Sequence, residues 1–100
     1  MSDRELLELA AKAAGFELDW HGRDCCVAGY IELWNPLTDD GDEARLEAAL
    51  RMHVQWMPAI EQVAVGTAEV VRIEKYGTDR QAARRRAGVR AAAAIGQAMP

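Results

Sequence analysis

Side chains capable of chemistry fall into four sets along this chain. Asp39, Asp40, Asp42 and Glu43 fall within five residues, enough carboxylate to attract a divalent cation. Arg80, Arg84, Arg85, Arg86 and Arg90 fall within eleven, enough guanidinium to meet phosphate. His21 stands near the neighbouring Cys25 and Cys26, with His53 further on, so thiolate and imidazole chemistry is conceivable. Trp20, Trp34, Trp56, Tyr30 and Tyr76 could stack on bases if a sheet face displayed them.

Each set also has a plainer explanation. The four acids open a helix, where its positive end favours them, and they lack the alternation and distal Glu of a calcium loop. The arginines do not make one stripe. Arg80/Arg84 and Arg86/Arg90 are i,i+4 pairs that the wheel turns apart, and Arg85 lies near the apolar face, where it snorkels or pairs. Salt bridges to the acids of the preceding helix would absorb them. No standard zinc spacing includes His21, Cys25 and Cys26, and a strand interior suits a nucleophile poorly. Ser2 is the single serine and reads as a helix cap, and there is no glycine-rich phosphate loop. The aromatics suit a core, with Trp34 as anchor. No catalytic residue, metal ligand or cofactor is expected, and the anion-contact candidates are the five arginines.

The elements that must position these groups follow from pattern. Ser2-Asp3-Arg4-Glu5 is a capping box for a helix over 3–14, closed by Gly15. Phe16, Leu18 and Trp20 alternate with polar residues, predicting a strand over 16–20. The turn His21–Asp24 leads into a second strand over 25–33, making a hairpin. Trp34-Asn35-Pro36-Leu37-Thr38 is a hinge, with Thr38 or Asp40 as N-cap of a helix over 39–51 whose apolar stripe is Leu46, Ala49 and Leu50. A third strand covers 52–56. Pro58 limits it, and 58–67 reads as a loop able to extend at Val63-Ala64-Val65. A fourth strand covers 68–75, apolar on both faces. Gly77-Thr78-Asp79 caps a last helix over 79–98, whose apolar face is Gly88, Val89, Ala92, Ile95, Gly96 and Met99. The order α-β-β-α-β-β-α predicts an α+β fold, a four-stranded, mainly antiparallel sheet with helices packed on it.

Composition sets bounds. One hundred residues suit a single domain, 1–100. Half are apolar, but nineteen of those are alanine, so the core is thin; marginal stability or burial in a homodimer would both fit. The net charge of −4 offers no global attraction to nucleic acid or an anionic membrane. No apolar run suffices to cross a membrane and no signal peptide opens the chain, and adjacent cysteines make no disulfide framework, so a reduced, cytoplasmic protein is expected.

Three blocks, Glu5–Gly15, Trp34–Asp42 and the Ala/Arg helix ending Ala92-Ala93-Ala94-Ile95-Gly96, resemble in order a family of small bacteriophage and prophage proteins, the phage ABA sandwich domain family. The Trp-Asn-Pro-Leu-Thr-Asp-Asp-Gly-Asp block is the most specific; 21–30 and 52–76 match poorly. The resemblance implies a sheet sandwiched between helices and a phage-type origin, and it implies no activity or site. The expected function is therefore a non-enzymatic phage or prophage accessory protein that binds a host or phage protein. The alternative is a nucleic-acid-associated module using the arginine-rich last helix.

Overall fold

Ser2 accepts a hydrogen bond from the Glu5 amide and Glu5 reaches back to the Ser2 amide, so the capping box starts α1, Asp3–Ala14, as its sequence predicts. Gly15 ends it at φ 82°, the left-handed geometry glycine adopts without steric penalty. β1, Leu18–His21, and β2, Asp24–Val27, then form an antiparallel hairpin with Trp20 opposite Cys25. The computed structural model describes all 100 residues.

The second strand is shorter than the 25–33 its apolar run predicts. Gly29 takes φ 91°, which turns the chain out of the ladder, and only an isolated bridge from Cys26 to Leu33 and the Trp34 amide on the Cys25 carbonyl return it. The intervening residues make a loop.

α2, Asp40–Leu50, follows the hinge, and Arg51 closes it in left-handed geometry. β3, His53–Met57, a short 3-10 turn at Pro58–Ile60, β4, Gln62–Gly66, and β5, Val71–Lys75, build a three-stranded antiparallel meander in that order. The fold is thus α+β with three helices and two small sheets, not one four-stranded sheet. The strand placed in the expected loop is β4, the centre of the meander. Its apolar run Val63-Ala64-Val65 is buried on both faces, so it shows no alternation. The segment 68–70, expected to begin the last strand, is the β4–β5 turn, closed by the Thr67 amide on the Val70 carbonyl. Gly66 is required there, because a side chain would collide with the Val70 carbonyl.

Register places Val54, Trp56, Val63, Val65, Arg72 and Glu74 on one face of the meander. That face receives α3, Arg80–Ala98, capped by the Asp79 carboxylate on the Ala82 amide. The other face turns His53, Gln55, Val71, Ile73 and Lys75 to solvent. α3 is enclosed by α1, α2 and the meander together. Its Gly96 sits against the Leu9 carbonyl of α1, its Gly88 against Glu43 of α2, and its Arg90 against Glu74 of β5. The expected helix–sheet–helix sandwich is therefore replaced by sheet, then α3, then α1. That explains the alanines: a helix packed on three sides needs small residues all round. Ala83, Ala87, Ala91, Ala92 and Ala93 are buried, whereas Met99, expected on the apolar face, is exposed.

Candidate functional site

The hinge residues fold back on themselves. The Asn35 side-chain oxygen accepts from the Leu37 amide at 3.0 Å, and the Asn35 carbonyl accepts from the amides of Thr38 and Asp39. Trp34 and Pro36 are buried, and Trp34 packs edge-on against Phe16 at 6.0 Å. The N-cap of α2 is neither Thr38 nor Asp40. Asp39 caps it, accepting from the Asp42 amide at 2.9 Å, because the Asn35 turn already uses Thr38 and carries the chain one residue further before helical geometry begins. Asp42 then accepts from the Asn35 amide at 3.0 Å and holds Arg45 at 2.7 Å.

The acids of α2 do more than start it. Its buried residues are Asp42, Glu43, Leu46 and Glu47, so the face turned inward is largely acidic, and Ala49 of the expected stripe is exposed. Glu43 is 2 % exposed. Its partner is Arg84 of α3, whose guanidinium lies 3.4 Å from Glu43 and donates to both oxygens of Glu47 at 2.9 and 2.7 Å. The second oxygen of Glu43 is buried with no hydrogen-bond partner, against Gly88.

These surroundings divide the two carboxyls. Burial, then the neighbouring Glu47, pushes Glu43 up to about 9, so it is neutral at pH 7 and able to donate to Glu47. Burial works against the charge of Glu47 too, but the bonds from Arg84 and Glu43 outweigh it and hold Glu47 below the usual range. The Glu47 bond in turn raises Arg84. The result is one carboxylate, one neutral acid and one guanidinium, locked in a seam between two helices.

The remaining arginines are also engaged. Arg85 donates to the Leu37 carbonyl at 2.9 Å and to Asp40 at 2.6 Å, pairing as its position near the apolar face predicts and tying the hinge to α3. Arg90 holds Glu74 at 2.6 Å, and Arg86 lies 3.5 Å from Glu74 and 3.8 Å from Asp3. Arg80 lies over the Tyr76 ring, 5.1 Å from its centroid. The five arginines thus point to four different sets of partners rather than to one open surface.

The Cys25 thiol is buried and donates to the Trp34 carbonyl at 3.3 Å; burial, Cys26 and Asp24 raise its pKa, away from a reactive thiolate. His21 is exposed at the hairpin turn, and His53 opens β3 in the other sheet. No three His, Cys, Asp or Glu side chains are grouped to hold a metal ion, the acids at 39–43 included. Of the aromatics, Trp34 and Tyr76 are core; Trp20 lies under the Arg4 guanidinium, 4.3 Å from its centroid.

The surface displays what sequence reasoning overlooked. In the loop between β2 and the hinge, Tyr30 is 72 %, Ile31 97 % and Leu33 62 % exposed. Both ends of this loop are fixed, by the Tyr30 amide on the Val27 carbonyl and by the bridge at Leu33. Beside it lies a groove of about 360 Å³ lined by Phe16, Val27, Tyr30, Leu33 and Trp34 together with the polar Glu32, Asp42 and Arg45. The available signal was Gly29, which breaks the strand before these apolar residues.

Comparison of the chain with family models, with curated proteins and with solved structures gives no match.

Proposed function

We propose that this protein is a non-enzymatic binding module that docks a partner protein on the loop Tyr30–Leu33 and the adjoining groove. The supporting observation is Ile31, a branched apolar side chain held almost wholly in water on a loop fixed at both ends. Exposed apolar residues scattered singly are ordinary; three within four residues beside an apolar groove are a contact patch. The groove suits an apolar side chain of the partner, while Glu32 and Arg45 offer polar contacts beside it.

The resemblance of Glu5–Gly15, Trp34–Asp42 and the last helix to the phage ABA sandwich domain family supports a phage or prophage accessory role in the host cytoplasm. Nucleic-acid binding through Arg80, Arg84, Arg85, Arg86 and Arg90 has weaker support, because four of the five already hold carboxylates. The test is capture from lysates of the host, with and without phage genes, by the native protein and by the Tyr30→Ala/Ile31→Asp variant. A protein captured by the first and lost by the second supports this reading. Equal capture by both, or a low-salt DNA gel shift abolished by Arg80→Ala, overturns it.

A further inference from the structure

β5 has a neighbouring strand on one side only. The phase of its ladder is fixed at both ends, by the Thr67 amide on the Val70 carbonyl and the Tyr76 amide on the Glu61 carbonyl. Alternation between these bonds turns the backbone groups of Arg72 and Glu74 toward β4 and those of Val71, Ile73 and Lys75 away from it. The strand carries no proline and its register with β4 runs without a bulge from Val71 to Lys75, so it lacks two common devices that blunt an edge. Val71 is 46 % and Ile73 50 % exposed.

We propose that two copies of this chain pair antiparallel along β5, with the two-fold axis at Ile73, joining the meanders into one six-stranded sheet. The strand is complementary to itself in that register. Ile73 meets Ile73 of the second copy, with the outward amide of each facing the carbonyl of the other. Arg72 falls opposite Glu74 of the second copy, and the same pair repeats across the axis. Arg72 has no carboxylate of its own; its guanidinium covers the outward Val71 carbonyl, at 2.9 Å, a bond that pairing exchanges, and on Glu74 it would join Arg90 and Arg86 of the second copy. The other edge, β3, offers no opposite-charge pair: centred on Gln55 it would set Val54 against Trp56, which already packs on Tyr76, and His53 against Met57. A five-residue edge buries less surface than the roughly 1,200 Å² of a stable complex, so the dimer should form in a concentration-dependent way.

Sedimentation velocity over a concentration series tests this. The native protein should shift from monomer toward dimer as concentration rises, and a monomer at every soluble concentration overturns the proposal. Arg72→Glu and Glu74→Arg should each be monomeric, since each sets like charges opposite one another, and their equimolar mixture should recover the dimer. Dimerisation of either variant at native strength overturns it. Should circular dichroism show that Glu74→Arg does not fold, Ile73→Cys replaces that arm. Both native cysteines are buried, so oxidation should link Ile73→Cys into a covalent dimer and leave Gln55→Cys, on the same open face, a monomer. Equal linking of the two, or loss of the dimer in Tyr30→Ala/Ile31→Asp, places self-association elsewhere and sinks the idea.

Discussion

The central helix α3 has two seams of opposite character. Toward α1 it presents small residues, and Gly96 lets the Leu9 carbonyl approach so closely that a methyl group would have no room. Toward α2 it presents Arg84, held in a buried carboxyl pair. The first seam is stabilised by burial and contact, which are insensitive to pH. The second gains little net stability from its ion pair, because desolvating the charges offsets their attraction, but it is severely harmed if one partner is lost. Electrostatic groups here specify where α2 sits; small residues specify how near α1 comes.

That contrast can be broken at its most sensitive point. Arg84→Met leaves Glu47 as a buried, uncompensated carboxylate, and chemical denaturation should show a loss of about 3–5 kcal/mol. Glu43→Gln should act in the opposite direction. The folded Glu43 titrates near 9 against an ordinary value near 4.5, so its protonated form contributes stability that is fully present below the unfolded pKa and lost as pH rises toward 9. Glutamine keeps the donor and cannot ionise. It should add up to about 3 kcal/mol at pH 7, and the native protein's loss of stability between pH 5 and 9 should flatten in the variant. Glu47 works the other way: its depressed pKa contributes stability that is lost as pH falls below the carboxylate range.

Across the apolar seam, Gly96→Ala should cost about 1–3 kcal/mol despite the better helix propensity of alanine, because the obstacle is backbone. Unlike the acid seam, its effect should be the same at pH 5 and pH 8 in thermal melts. Glu8→Gln supplies the scale for a solvated pair. It removes the Arg4–Glu8 bridge at 3.0 Å, both partners about half exposed, and should change stability by less than about 0.5 kcal/mol.

How much of this was legible in the chain differs by element. α1 and α3 announce themselves through Ser2, Gly15 and Asp79, local signals that need no tertiary context. β4 did not, because burial on both faces erases the alternation by which a strand is recognised, and Pro58 and Gly66 resemble loop punctuation. The single sheet failed for a related reason: sequence order sets which strands are neighbours in the chain, but not that α3 lies between one hairpin with its helix and the meander. The acid seam was half legible. The sequence predicts salt bridges from the arginines to the acids of α2, but Glu43 reads there as a helix-initiating acid, since its partner lies on another element. The exposed loop was hidden by hydrophobicity itself, since Tyr30, Ile31 and Leu33 read as a continued strand until Gly29 is given a positive φ.

Asp3 lies beside Arg86, the Leu9 carbonyl against Gly96, and the Lys12 ammonium donates to the Met99 carbonyl at 3.1 Å, so the first and last helices run parallel. Neither can conceal its inner face by local collapse. Their meeting closes a chain loop of nearly the whole protein, an entropic toll that helical hairpins of the same length avoid. Contact order of this kind slows folding and leaves the alanine faces bare meanwhile, so the nascent chain should reach its native state late, when α3 docks.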